Sequence, residues 1–406
     1  MKALVLCGGI PQAALIEELK KRGIYTVLAD MNPNVMARSY ADAFFPVSVL
    51  DVEAVKKLAV DEKVDMVLTA CADQVLLVQA QVSEELGLPC YIDYKTAKDV
   101  SSKELMKKVF VGNGIPTSKH VILGEFDEKK VSELSYPIIV KPVDSYSSRG
   151  VRKVFNIEDL KAAFETAIEI SRTNTAIVEE FVEGEELTVD VYIEEGTAHI
   201  LCISIIDKIP GNDRFVISRT RYPAHISDEV KEKVEAVAGQ IAKAFNLKNS
   251  PMLIQLITDG KNVSVVEFCA RTGGGDKFRL IKQVSHFDVI KAVVDLTLGE
   301  KPHVEPYQLP ECIVNEFLYA EPGVFDHLEG FDEMKEQGVI SEYFQLKTKG
   351  TVCGEIKSSG DRVAYYTIQA PTVDGVRRKD KIANSVLKVV DSEGKDVLHH
   401  DLIATY

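Results

Sequence analysis

The sequence predicts a mixed α/β and α+β protein. A doubly wound parallel sheet comes first, an α+β body follows, and a small, mostly β region ends the chain. Three observations carry this reading. Over residues 1–95, buried apolar runs alternate with amphipathic helical spacing, the pattern of a parallel sheet covered by helices. From Tyr136 to Val151, an apolar strand delivers a lysine into a loop of small polar residues. From 251 to 275, a hairpin ends in a carboxylate, an arginine and three glycines. Boundaries fall at 1–95, 96–305 and 306–406, with a smaller lobe at about 117–182 inside the second region.

The 406 residues suffice for two or three domains with ample core. Lys+Arg 48 against Asp+Glu 62 gives a net charge of −14, which argues against a nucleic-acid partner. Hydrophobic content of 46% with 27% charged residues is that of a globular protein. No apolar run approaches the ~20 residues of a membrane span, so no membrane partner is expected. Met1-Lys-Ala-Leu-Val-Leu enters a strand directly, without a signal-peptide layout. Seven scattered cysteines without a Cys-x-x-Cys point to reduced thiols in a cytoplasmic protein.

Ala3–Leu6 reads as a buried strand, and Gln12–Arg22 carries helical spacing that Gly23 stops. Ile24–Ala29 is a second strand ending at Asp30, and Val64–Thr69 is a third. Asp51 caps a helix to about Glu62, and Asp73–Leu86 is an amphipathic helix closed by Gly87. Cys7-Gly8-Gly9 with Asp30 is half of a dinucleotide fingerprint. Pro11 and Gln12 occupy the later glycine positions, so a bare scaffold or small-substrate role outranks cofactor binding there. Ser101-Ser-Lys-Glu104 has the form of a capping box opening a helix to about Gly112. Lys103 and Lys107 stand one turn apart on it, which by itself describes a solvated lysine face.

A strand at Lys119–Leu123, a helix at Asp127–Leu134, the lysine strand, a helix from about Ile157 to Ser171 and a strand at Thr175–Phe181 form a compact α+β unit. Pro137-Ile-Ile-Val delivers Lys141, and Pro142 ends regular pairing. Small or polar residues follow from Asp144 to Gly150. Such a lysine suits a polyphosphate: the ammonium neutralises oxygens while loop N–H groups cradle them. It is not a Walker A motif, since no Gly-Lys-Ser/Thr follows and no helix starts there. Alone, the stretch describes an ordinary hairpin more often than a phosphate site; its flanks reverse the balance.

Ala176–Asp190 sets two apolar strand segments around the acidic turn Glu183-Gly-Glu-Glu186. Strands continue to about Asp207, and Ser227–Phe245 is a long amphipathic helix. The hairpin of 251–258 and 262–268 ends in Glu267-Phe-Cys-Ala-Arg271-Thr-Gly-Gly-Gly275, which can hold a metal ion and an anion side by side. A structural turn into one helix over 277–298 accounts for the glycines but not for Glu267 and Arg271. Farther on, short strands at Ile313–Tyr319, Tyr343–Thr348 and Ala364–Ala370 dominate, with helical spacing at Ile382–Val389. No catalytic constellation stands out there, and His399 and His400 read as surface residues.

With these segments in place, the chain resembles the ATP-grasp superfamily over essentially its whole length. It is most similar to carboxylate–amine ligases allied to the carbamoyl-phosphate synthase large chain and the phosphoribosylglycinamide ligases. The resemblance implies a pre-ATP-grasp domain, two lobes gripping ATP and a smaller C-terminal domain. It gives Lys103 and Lys141 to the phosphates. A mobile loop at 144–150, with Ser145, Ser147, Ser148 and Gly150, closes over them. Glu179, Phe181 and Val182 match the hinge that reads adenine, the first by side chain and the others mainly by backbone. Glu186 matches the ribose-binding carboxylate, Glu267 the ligand of Mg2+ (or Mn2+), and Arg271 the arginine that steadies an acyl phosphate. Three positions depart from the pattern: the loop has one glycine, Gln255 stands where a first metal carboxylate is usual, and Cys269 replaces an asparagine.

The activity so implied is an ADP-forming ligase. Transfer of the γ-phosphoryl turns a carboxylate into an acyl phosphate, which an amine (or a thiol) attacks. A kinase or carboxylase-like phosphoryl transfer is one alternative. A non-catalytic ATP-binding regulatory protein is another, suggested by Gln255 and Cys269. Small-molecule carboxylate and amine substrates are expected to meet Asp73, Lys208, Arg221, Lys277 and Arg279, and a homodimer is the candidate assembly.

Overall fold

A computed structural model describes residues 1–144, 149–211 and 215–403. Its N-terminal sheet has four parallel strands in the order Ala43–Phe45, Tyr25–Ala29, Lys2–Leu6, Met66–Leu68. The strand Lys2–Leu6 is apolar throughout after its first residue because both its faces are covered. Ala3 and Val5 pack with Leu15, Ile16 and Leu19, whereas Leu4 and Leu6 pack on the opposite face with Val55, Val75 and Val78. This is the doubly wound arrangement expected. The three-residue strand Ala43–Phe45 was too short to read from the sequence. Asp30 accepts hydrogen bonds from the N–H groups of Gly8 (2.9 Å) and Asn32 (2.8 Å), so its carboxylate closes the local turn.

The helix expected after Ser101 is Lys103–Gly112, but its N-cap is Ser102, which accepts from the Leu105 N–H. A further helix, Tyr94–Ser101, runs directly into it. The small lobe is an antiparallel sheet in the order His120–Leu123, Ala176–Glu180, Ile138–Pro142, Arg152–Val154, with the helix Ile157–Ile170 packed on it. The helix expected at 127–134 is only the turn Glu128–Val131.

An eight-stranded antiparallel sheet forms the body. Its order is Val263–Cys269, Ser250–Thr258, Glu185–Glu194, Thr197–Lys208, Ile217–Tyr222, Cys312–Leu318, Ala364–Ala370, Glu342–Gln345. The sheet therefore runs without a break across residue 306. A separate three-stranded sheet of Val352–Cys353, Gly323–Glu329 and Lys388–Asp391 lies in the C-terminal region.

Two helix readings need correction. The single helix expected over 277–298 is two, Lys277–Ser285 and Val289–Thr297. His286 takes a φ of 59° between them, and Asp288 caps the second by accepting from the N–H groups of Ile290 and Lys291. The helical spacing at Ile382–Val389 straddles the end of a longer helix, Val373–Val386, and the strand that follows it. Among the described residues, no helix is long and apolar enough to cross a membrane.

Gly184, in the acidic turn, has a φ of 149°, and a Cβ there would lie 2.2 Å from the Thr258 carbonyl oxygen. Gly184→Ala should therefore destabilise the fold by about 2 kcal/mol or more. An unchanged Tm in that variant would show that the turn relaxes freely.

Candidate active site

The segment between the helix Lys103–Gly112 and the small lobe is stitched to the edge of the large sheet. The Val265 N–H donates to the Pro116 carbonyl (2.7 Å), and the Thr117 hydroxyl donates to the Val265 carbonyl (2.8 Å). This seam holds the two sheets on either side of a cavity of about 480 Å³, lined by Lys103, Lys141, Glu179, Phe181, Glu186 and Glu267 among others. A second cavity, of about 590 Å³, is lined by Asp73, Arg271, Lys277, Phe317 and Arg362 among others. Cys7 and Cys71, at the C-terminal ends of adjacent parallel strands, line it with φ values of 73° and 61°. Ligands of open parallel sheets sit at this end of the strands. Lys103, Ile206, Gln255 and Glu267 line both cavities and form their junction.

Glu267 reaches the junction through a β-bulge. It pairs with Gln255, but the next pairing joins Leu256 to Val265, leaving Val266 as the extra residue. Lys103 stands 3.2 Å from the Glu267 carboxylate. Burial alone would raise the Glu267 carboxyl, but Lys103 and Lys141 hold it below the usual carboxylate range. Glu267 and Gln255 offer one carboxylate and one amide oxygen. Among the described residues, no group of three His, Cys, Asp or Glu side chains could hold a metal ion. The pair suits magnesium held largely by phosphate oxygens, and not a cage built by protein alone. Burial pushes the Cys269 thiol well up, so it stays neutral and supplies no thiolate ligand.

On the small-lobe side, Glu179 is surrounded. It lies 2.5 Å from Lys141 and 2.8 Å from Lys107, and it accepts from the Ser118 hydroxyl at 2.7 Å. Lys141 comes from the neighbouring strand, diagonal to Glu179 in the register, a separation that long side chains span. Burial opposes the charge on Glu179, yet Lys141 and Lys107 together hold its pKa far below the usual value. Lys107 is not on a solvated face. It is 1% exposed, and it also donates to the hydroxyls of Thr117 (2.7 Å) and Ser118 (3.1 Å).

The Phe181 N–H donates to the Pro137 carbonyl (2.9 Å), and Phe181 and Val182 both line the first cavity. Glu186 pairs with Lys208. Gly150 has a φ of 77°, and a Cβ there would crowd Ile170 and Pro142. Ser145, Ser147 and Ser148 lie outside the described residues.

The five residues expected to meet substrate separate into three groups. Asp73 and Lys277 line the second cavity. Lys208 lines the first instead, paired with Glu186. Arg221 and Arg279 line neither cavity. Arg221 is held by both oxygens of Asp207 (2.7 and 2.8 Å), and Arg279 pairs with Asp276 (2.9 Å) over the Phe344 ring. Each charge found a partner within its own neighbourhood, which a sequence does not display.

Arg271 donates to both Asp73 oxygens (2.6 and 2.5 Å) and to the Thr272 carbonyl (2.8 Å). Three of its five N–H groups are thereby used, and the other two have no hydrogen-bond partner among the described residues. Lys277 stands 3.2 Å from Asp190 and donates to the Thr188 and Ser204 hydroxyls. A Cβ on Gly273 would fall 2.8 Å from Lys277 Cγ, so the glycine lets this lysine pass. Sequence reasoning missed Arg362, which lies in no motif. It donates to the Tyr319 hydroxyl (3.2 Å), and its guanidinium lies 3.6 Å from the centre of the Phe317 ring. Among the described residues it makes no ion pair with a carboxylate.

Two sheets closing on one cavity, with lysines reaching in from a strand end and a helix, define a nucleotide-gripping fold. Residues 134–278 match the ATP-grasp domain family, and the chain carries such a domain. It is 24% identical over 289 residues to the carbamoyl phosphate synthase large chain of Clostridium acetobutylicum, a match covering 70% of this chain and 27% of that one. It is 27% identical over 251 residues to the formate-dependent phosphoribosylglycinamide formyltransferase of Pasteurella multocida, covering 60% and 62%. The chain thus spans about a quarter of the first relative's length and less than two thirds of the second's. Among solved structures, the L-amino acid ligase of Bacillus licheniformis superposes with a TM-score of 0.81 at 18% identity, over 96% of this chain and 98% of that one. The biotin carboxylase domain of the Hydrogenobacter thermophilus 2-oxoglutarate carboxylase, solved with MgADP and bicarbonate, gives 0.79 at 16% identity, over 99% and 92%. The ATP-grasp fold is shared with both.

Asp276, at the base of the glycine turn, gives a test of the site's internal electrostatics. Burial pushes its carboxyl up to about 7, against the pull of Tyr365 and Arg279. A raised carboxyl stabilises the fold below its unfolded pKa and loses that contribution as pH rises through about 7. Asp276→Asn should therefore gain Tm relative to the wild type between about pH 5 and about pH 8. A Tm difference that stays flat with pH would show that Asp276 is ionised throughout.

Proposed function

We propose that this protein is an ATP-dependent, ADP-forming ligase that joins a small carboxylate to an amine through an acyl phosphate. The observation that carries the proposal is the meeting of two cavities at Lys103, Gln255 and Glu267. A γ-phosphoryl group held in the first cavity would lie at the mouth of the second, where Arg271 waits. A carboxylate resists attack by an amine until it has a good leaving group, so a chain that brings these chambers together has the required geometry.

In this reading Val182 and the Phe181 carbonyl face the adenine edge, and Glu186 takes the ribose hydroxyls. Glu179 has one acceptor position left after its three partners. Lys103 and Lys141 neutralise phosphate oxygens. Glu267 and Gln255 would hold magnesium, which supplies further charge neutralisation when bound with ATP. Arg271, aimed by Asp73, turns its two remaining N–H groups to the acyl phosphate. Apolar walls from Val75, Val100, Leu253 and Phe317 exclude water that would hydrolyse it. The family relatives named above include enzymes of carboxylate activation, which supports the reaction class. A carboxylase-like reaction on bicarbonate alone would use only a small part of the 590 Å³ cavity.

The test is ADP release from MgATP in a screen of carboxylates crossed with amines. Lys141→Ala and Glu267→Gln should each lower ADP production at least ~100-fold with the fold intact. Near-wild-type turnover in either variant would remove the proposed site. Because a single protein carboxylate serves the metal, Gln255→Glu should lower the magnesium concentration needed for half-maximal rate. An unchanged or raised midpoint together with a lower Tm would place Gln255 outside the metal site.

A further inference from the structure

Two lysines on one buried carboxylate are more than charge balance requires. Lys107, Glu179 and Lys141 carry a net charge of +1 in a space where Lys107 is 1%, Glu179 5% and Lys141 7% exposed. Lys107 also donates to the neutral hydroxyls of Thr117 and Ser118, and the further carboxylate whose charge reaches it, Glu267, is itself paired with Lys103, so a surplus of one cation remains. Burying a surplus cation is costly, and either lysine alone would neutralise Glu179 more cheaply.

The surplus makes sense if one lysine has to leave. Lys141 lines the nucleotide cavity at the end of its strand, whereas Lys107 does not line it. For Lys141 to reach a phosphate, its ammonium must move off Glu179. Without a second cation, that movement would strand a buried carboxylate, the case in which breaking an ion pair is most expensive. With Lys107 at 2.8 Å and the Ser118 hydroxyl at 2.7 Å, the carboxylate stays paired and hydrogen-bonded after Lys141 has gone. We propose that Lys107 is a positioning residue, a resident counter-ion to Glu179 that releases Lys141 to the phosphates of the bound nucleotide. The proposal rests on the ATP-binding reading above and assigns to Lys107 a role distinct from contact with ATP.

Lys107→Met should leave Glu179 with Lys141 as its only cation and so hold that lysine away from the phosphates. Binding of the β,γ-imido analogue of ATP with magnesium should weaken at least ~10-fold, while adenosine binding changes less than ~2-fold, because adenosine offers Lys141 nothing. Lys107→Arg should retain tight binding. The decisive variant is Lys107→Met combined with Glu179→Gln. The neutral amide introduced by Glu179→Gln cannot trap Lys141, so the double variant should bind the analogue as well as Glu179→Gln alone. A merely structural Lys107 would instead weaken adenosine and the analogue alike, and its loss would add to that of Glu179→Gln; either result overturns the proposal. Should Lys107→Met alone fail to fold, the comparison of the double variant with Glu179→Gln still decides. Failure of the wild type to bind the analogue at all would sink the ATP-binding reading itself, and is seen before any variant is made.

Discussion

A carboxylate buried in the middle of a strand has to be matched from every side, and at Glu179 the matching groups come from three elements. Lys141 arrives from the adjacent strand of the small lobe, Ser118 from the linker, and Lys107 from the helix Lys103–Gly112. Losing both lysines would strand a charge in a low-dielectric space, so the placement of the elements that carry them is tightly specified. The lobe is held over the large sheet by this cluster and by the backbone seam at Pro116–Val265.

The same helix serves both walls. One turn separates Lys103 from Lys107, and that spacing carries one lysine to Glu267 on the large sheet and the other to Glu179 on the small one. A third pair, Arg271 with Asp73, ties the glycine turn to the N-terminal unit, and the Tyr91 hydroxyl supports it by donating to the Ala270 carbonyl (3.2 Å). Three regions of the chain are thus bound by ion pairs, two of whose cations, Lys103 and Arg271, line the cavities. Such groups are already oriented before a ligand enters, which is the condition for electrostatic stabilisation without reorganisation.

Lys141, Glu267 and Arg271 were legible because each breaks an apolar strand pattern where a strand ends, and a polar residue there needs a reason. The doubly wound start was legible for the related reason that unbroken Val and Leu runs separated by amphipathic spacing have few other uses. Lys107 was not legible. Its spacing on an amphipathic helix says solvent, and only the lobe folding over it, contributed by residues about 70 positions later, makes it interior. Arg362 had no local signal, since its cavity is assembled from strands distant in sequence. Arg221 and Arg279 differ in the opposite direction: each reads as an available charge in the sequence, but Asp207 and Asp276 hold them away from the two cavities. The capping box was read one residue early because Ser101 and Ser102 offer the same chemistry, and the helix before them decides between the two.

Arg362 sets the remaining constraint on what the second cavity can take. Of the cations lining it, Lys103 has Glu267, Arg271 has Asp73, and Lys277 has Asp190, whereas Arg362 has only hydroxyl, carbonyl and ring partners among the described residues. Burial lowers its pKa without removing its charge at neutral pH, since a guanidinium titrates far above that range. The cavity wall therefore carries one positive charge that is in no ion pair among the described residues. In the proposed ligase reaction a carboxylate poised at Arg271 would be consumed by phosphorylation, so it could not also serve as a lasting partner for Arg362. An anionic group elsewhere on one of the two substrates would satisfy both demands: it would neutralise Arg362 and hold that substrate in the cavity while the reacting carboxylate changes its bonds. In that proposed reaction the favoured substrates would have an apolar body, which the Val75, Val100 and Leu253 wall could accommodate, and an anionic end that takes no part in the chemistry.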